Sequence, residues 1–231
     1  MVTKCTHARQ FGKAVSGSIS TLGGFQMSFA ARWFTVALLL GCGICAYAAS
    51  PETREGTLTV DGQPYQDLTR IAAIRLHLQD GDFRIVGGDS DEITIHTSGK
   101  NAALAAKMKV QIRRNGDALD LTLSHVPKNE VRVTIAIPRE TSLYARMRAG
   151  DLTVDGIAGD KDVELMAGDL SIQVADATEY GPVDLSVKLG DLHGDQFGDP
   201  KGVVGNKLKQ DGTGKYKLHA HVFAGDLTLK P

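Results

Sequence analysis

Beyond residue 48 the chain contains no cysteine and no tryptophan, since Cys5, Cys42, Cys45 and Trp33 all lie before it. The absence of cysteine excludes a disulfide framework, a thiolate nucleophile and a thiolate metal site from that part. Without tryptophan, the aromatic platforms on which sugar-binding grooves often rely reduce to the scattered Tyr65, Tyr144, Tyr180 and Tyr216. A basic stripe is also missing. Lys4, Arg9, Lys13 and Arg32 precede Ala48, where no acidic residue lies, which leaves 22 basic residues against 27 acidic and a net charge of −5. That balance argues against nucleic acid and against an anionic membrane surface as the main partner. No Gly-x-Ser-x-Gly elbow, HExxH pair or phosphate-binding glycine loop occurs, and no catalytic residue is assigned.

Long apolar runs are equally scarce. The one present, Trp33–Cys45, has 13 residues, follows the positive start Met27-Ser-Phe-Ala-Ala-Arg32, and ends in Ala46-Tyr47-Ala48. A basic start, an apolar core and a small-x-small end make a secretory signal peptide, and the run is short of the ~20 residues of a membrane span. Residues 1–48 therefore read as an N-terminal extension plus signal peptide, with Met27 as the start of translation and cleavage after Ala48. The mature chain is expected to have no transmembrane span and to be periplasmic, on the cell surface or extracellular. A second reading takes Leu39-Leu40-Gly41-Cys42 as a lipobox with Cys42 lipidated, although the apolar residues after Cys42 are unlike a polar tether. Cys42-Gly-Ile-Cys45 lies in this same segment, outside the folded context that a redox motif requires.

Residues 49–70 are polar, with one short strand at Thr57–Val60 and a turn at Asp61-Gly62. Alternation then begins: Ile74, Leu76 and Leu78 share a face, followed by Phe83 and Ile85, and then Ile93 and Ile95. Period-two alternation is the mark of half-buried strands. Asn101–Lys107 is the only helix candidate, capped by Asn101. Met108–Ile112 and Ala118–Leu123 flank Asn115-Gly116 and predict a hairpin. Val131, Val133, Ile135 and Ile137 alternate up to Pro138, which ends the strand. Residues 56–138 thus read as an antiparallel-leaning β module.

From Ser142 a four-residue phrase recurs: Ala149-Gly150-Asp151-Leu152, Ala167-Gly168-Asp169-Leu170, Leu189-Gly190-Asp191-Leu192 and Ala224-Gly225-Asp226-Leu227, with a weaker copy at Asp80-Gly81-Asp82-Phe83. The four glycines are 18, 22 and 35 residues apart. Positions −5, −3 and −1 from each glycine are all apolar, position +2 is always Leu, and position +4 is Val154, Ile172 or Leu229, with Gly194 the exception. Inward positions −1 and +2 are three apart, which strict alternation forbids, so one residue must be absorbed at a Gly-Asp corner. Glycine supplies φ > 0 there, and the aspartate is expected to cap its own turn. A motif returning at such intervals indicates stacked units, each burying its apolar face against the next. The expected architecture is all-β, a single-stranded β-solenoid or β-helix-like repeat over 71–231 with the antiparallel module at its N-terminal end. A twisted β-sandwich is the alternative. Residues 194–217, rich in turns and lysine (Lys201, Lys207, Lys209), read as an extruded loop or, failing that, a divergent rung.

Three features invite a functional reading. Stacked Asp151, Asp169, Asp191 and Asp226 would form a like-charge ladder that a calcium ion could relieve, but turn capping explains each copy without a metal. His219-x-His221 puts two imidazoles on one strand face, short of the ligands zinc takes, with no third ligand evident. His193 is a lone histidine. These are read as structural or solvent-facing residues, and no cofactor or metal is assigned.

The signal peptide, the module ending in Val-Arg-Val-Thr-Ile-Ala-Ile-Pro138, and the Gly-Asp-Leu repeats closing on Gly225-Asp-Leu-Thr-Leu229 together resemble the bacterial putative-adhesin family of β-solenoid domains, a domain of unknown function. The resemblance covers residues 71–229. It implies an envelope-associated, non-enzymatic protein, adhesin-like, with a surface glycan or an envelope protein as partner, and it carries over no site residue. A sensory or regulatory envelope protein binding a small ligand or cation, and a carbohydrate-active β-helix enzyme, are the competing classes.

Overall fold

The structure is a computed structural model that describes residues 54–56, 63–100, 102–127, 131–198, 200 and 205–231, all within the unit Tyr47–Pro231. The signal segment 1–48, the strand expected at Thr57–Val60, the turn at Asp61-Gly62, Asn101 and Lys201 lie outside the described residues. The described chain is all-β. Its strands are β1 (Arg54–Gly56), β2 (Ala73–Gly88), β3 (Thr94–Ser98), β4 (Lys109–Asn115), β5 (Ala118–Ser124), β6 (Arg132–Pro138), β7 (Ser142–Asp155), β8 (Lys161–Ala167), β9 (Leu170–Gln173), β10 (Tyr180–Leu189), β11 (Leu192–His193), β12 (Asn206–Gln210), β13 (Tyr216–Ala224) and β14 (Leu227–Lys230). Ala102–Lys107 forms a 3₁₀ helix in place of the α-helix expected there.

The strands make a mixed sheet that is not closed, bent at the Gly-Asp corners into two rows. The first row runs β1-β4-β5-β2-β7-β8-β13-β10-β12. The second contains β3, β6, the C-terminal leg of β2, the C-terminal leg of β7, β9, β14 and β11. β2 and β7 pass through their corners as single long strands and pair in parallel on both sides, from Ala73↔Ser142 to Val86↔Asp155. The weak copy at Gly81 is therefore a full member of the repeat. The module before 138 is mixed: β4–β5 and β3–β6 are antiparallel, whereas β2 is parallel to β5, β6 and β7. The hairpin forms, with Asn115 paired to Ala118, so its two-residue turn is Gly116-Asp117. Gly116 alone takes the positive φ, at 65°, the pattern of a turn with glycine first.

At the corners the backbones stack directly. Gly150, Gly168, Gly225 and Gly190 have φ between 112° and 134°. A Cβ on each would lie 1.9–2.1 Å from a carbonyl oxygen of the next glycine, in the order Gly81, Gly150, Gly168, Gly225, Gly190. Glycine is required twice over, by dihedral and by approach. The ladder of hydrogen bonds continues through the bend, as in Gly168 N–H to Ala224 O at 2.8 Å and Leu170 N–H to Asp226 O at 2.8 Å, so the corner leaves these backbone donors satisfied.

Two expectations about the repeat need correction. Position −1 does not face inward: Leu189 is 56% exposed and Ala167 is exposed, whereas positions −5, −3, +2 and +4 are buried in all four copies. The strand has begun to turn at −1, so the residue lies on the flank of the bend. The parity break survives, because −3 and +2 are separated by an odd number of residues. Nor do the units stack in chain order. β13 is inserted between β8 and β10, pairing in parallel with both, so the fourth copy separates the second from the third. Segment 194–217 supplies the return path. Within it, β12 is neither a loop nor a parallel rung but an antiparallel edge strand on β10, with Leu208 buried. The inward residues of both rows form one apolar cluster.

Candidate functional site

The outward side chains of the first row fall into register across seven strands. One line reads Asp120, Arg75, Tyr144, Asp162, His219, Asp184, Lys209, from β5 through β2, β7, β8, β13 and β10 to β12. The line beside it reads Thr122, His77, Arg146, Glu164, His221, Ser186, Lys207. Strand neighbours sit about 4.8 Å apart, which brings side chains of opposite charge into contact. Arg75 lies 3.7 Å from Asp120 and over the Tyr144 ring at 5.9 Å. Lys209 is 2.8 Å from Asp184, whose hydrogen bond and charge raise the lysine pKa.

Arg146 anchors the centre. Its Nη2 is 3.0 Å from Asp162 Oδ1 and its Nε donates toward Glu164 Oε2 at 3.1 Å, while Nη1 donates to the Asp162 carbonyl at 2.9 Å. Opposite these carboxylates, on β13, stand His219 and His221. The ligand atoms of Asp162, Glu164 and His219 lie within 4.8 Å of one another, and all three side chains are half-buried. Ser186 Oγ is 2.8 Å from His221 Nδ1. The histidine pair thus has the third and fourth ligand-bearing neighbours that the sequence did not disclose. They come from β8, some 57 residues upstream, and only parallel pairing of β8 with β13 brings them together. A shallow groove of about 320 Å³ adjoins this cluster, lined in part by His77, Arg146, Arg148, Glu164, Met166 and His221. Met166, at 56% exposure, stands at its edge. A larger hollow of about 460 Å³, lined by Gln66, Thr69, Glu140 and Thr141 among others, holds no comparable convergence of titratable groups.

Two of the corner aspartates serve a different purpose from the one expected. Asp169 Oδ1 accepts the Asp226 backbone N–H at 3.2 Å, and Asp226 Oδ1 accepts the Asp191 N–H at 2.9 Å. These two carboxylates cap the neighbouring rung and not their own turns. Asp151, Asp169, Asp191 and Asp226 are all exposed. At the Gly81 rung, Asp82 meets Arg132 at 3.0 Å and Asp80 takes a two-pronged contact from Arg148 at 2.7 and 2.8 Å. His193 is exposed on β11, level with Thr228.

One group escaped the sequence reading. Lys161 is 1% exposed, faces the core on β8, donates to Tyr180 Oη, and stacks over that ring at 4.2 Å. Burial lowers its pKa to about 8, against the opposing pull of Glu179 and Asp160. Burial also pushes the Tyr180 phenol up to about 12. The signal was present: Lys161 shares the inward parity of Val163 and Leu165, where an apolar residue is expected.

No protein-family model matches the chain, and no curated protein matches it. Among solved structures, the chain is similar to a putative cell adhesion protein from Clostridium sporogenes at 12% identity, with a TM-score of 0.49, covering 78% of this chain and 99% of that one. It is also similar to a putative adhesin from Bacteroides fragilis at 9% identity, with a TM-score of 0.23, covering 79% of this chain and 98% of that one.

Proposed function

We propose that this protein is a non-enzymatic β-solenoid of the bacterial envelope, exported by its N-terminal signal and acting as an adhesin-like binding module. The observation that carries this reading is the outward face of the first row. It presents two registered lines of charged and polar side chains of both signs across seven strands, bordered by a shallow groove. Such a face is broad, polar and held in place by paired backbones, which suits recognition of an extended polar surface, a glycan or another envelope protein. The parallel, in-register glycine corners support the solenoid description.

A glycan array probed with the purified chain tests the proposal. Saturable binding to a defined class of surface glycan is the expected result, weakened at least tenfold by Arg146→Glu, which reverses charge at the centre of the face. Turnover of any polysaccharide on the array would sink the non-enzymatic reading. Binding indifferent to Arg146→Glu would remove this face from it.

A further inference from the structure

We infer that Asp162, Glu164 and His219, with His221 beside them, form a binding site for a divalent transition cation of the zinc or copper kind. β8 and β13 are parallel neighbours in register, with Asp162 opposite His219 and Glu164 opposite His221. Two residues at i and i+2 on each of two adjacent strands make a square of donors on one face. The ligand atoms of Asp162, Glu164 and His219 already lie within 4.8 Å of one another. Metal–ligand distances of about 2.0–2.2 Å then require side-chain adjustment only.

The donor chemistry selects the cation. Imidazole with carboxylate suits zinc, copper and nickel, whereas calcium and magnesium take oxygen ligands. Two further observations point the same way. Asp162 Oδ1 is shielded from solvent and lacks a hydrogen bond of proper geometry, although Arg146 Nη2 makes an ionic contact at 3.0 Å. That oxygen has lost its water without full compensation. On the other side, Ser186 Oγ engages His221 Nδ1 at 2.8 Å. A partner on one ring nitrogen orients the other toward a metal, as outer-shell groups do. Arg146 contributes one positive charge against two carboxylates, so the cluster still favours a cation. Asp184 opposite His219 is itself paired with Lys209 at 2.8 Å.

The test uses the untagged full chain carrying Cys5→Ser, Cys42→Ser and Cys45→Ser, so that no thiolate competes. Zinc titration by calorimetry is expected to give one saturable site per chain, and calcium none at this cluster. His219→Ala and Glu164→Gln should each weaken zinc at least about tenfold, while Arg146→Gln should bind as tightly or more so. Circular dichroism without metal checks that each variant folds. Copper loaded on the parent chain gives a second readout: nitrogen hyperfine structure in its electron paramagnetic resonance spectrum, diminished in His219→Ala. No saturable zinc binding by the parent, unchanged affinity in both His219→Ala and Glu164→Gln, or copper bound without nitrogen coupling would each overturn the inference. The readout is independent of any glycan, so its failure leaves the adhesin-like reading standing, and the reverse also holds.

Discussion

Gly168 and Gly194 belong to the same repeat yet face opposite constraints. At Gly168 a Cβ would sit 2.1 Å from Gly150 O, and φ is 120°. Gly168→Ala must both strain the backbone and push the neighbouring rung away, and is expected to cost about 3 kcal/mol. At Gly194 a Cβ would meet Leu185, Leu229 and Leu208 at 3.6–3.8 Å, ordinary contact distance, with no unusual φ. Gly194→Ala should therefore raise stability by about 0.5–1 kcal/mol. Urea midpoints of the two variants against the parent decide both predictions.

Lys161 gives a pH signature at the same scale. Its ordinary pKa of 10.5 falls to about 8 in the folded protein. Below pH 8 both states hold the proton and the cost of the buried charge is fully present. From there to 10.5 the unfolded chain binds more protons, so stability rises with pH, by about 3 kcal/mol across the window. Tyr180 acts oppositely above pH 10, because its folded pKa is raised to about 12. Denaturant midpoints measured from pH 7.5 to 10 should climb in the parent and stay flatter in Lys161→Met. That variant should also be the more stable of the two at pH 7.5, since a buried charge replaced by an apolar chain often gains stability.

Among the elements, the alternating strands were legible because period-two burial writes itself directly into the residue order: Ile74, Leu76, Leu78 and Val131 through Ile137 are buried as their alternation predicts. Corner detail was less so. The conclusion that one residue is absorbed at Gly-Asp holds, yet position −1 lies on the flank of the bend and Asp169 and Asp226 each serve the neighbouring rung. Parity counts inward and outward positions but says nothing of which backbone a carboxylate will reach. The Asp226 cap gives an element-scale prediction. Asp226→Ala removes the acceptor of the Asp191 N–H and should destabilise by about 1 kcal/mol, with Asp226→Asn, which keeps an acceptor oxygen, losing less. Thermal unfolding of the two variants measures the loss, and hydrogen exchange locates it: the cross-rung cap predicts faster exchange at the Asp191 N–H, a cap on the aspartate's own turn at the 226 corner.

At the scale of the molecule, β13 is the last long strand made yet lies in the interior of the first row, filling the gap between β8 and β10. A chain ending after Gln210 would leave two parallel edges open and expose the Val163, Leu165, Leu185 and Val187 flanks. It should lose cooperative urea unfolding and aggregate, whereas a truncation at an end of an ordered stack would spare the remaining rungs. The all-β character, the half-buried strands and the corner glycines followed from the sequence alone, because each depends on neighbours within a few residues. The insertion of the fourth copy between the second and third, the meeting of Asp162 and Glu164 with His219 and His221, and the burial of Lys161 against Tyr180 were decided only in the tertiary structure. They depend on which strands pair across tens of residues, and parallel pairing, being free of short connections, leaves no local mark of its partner.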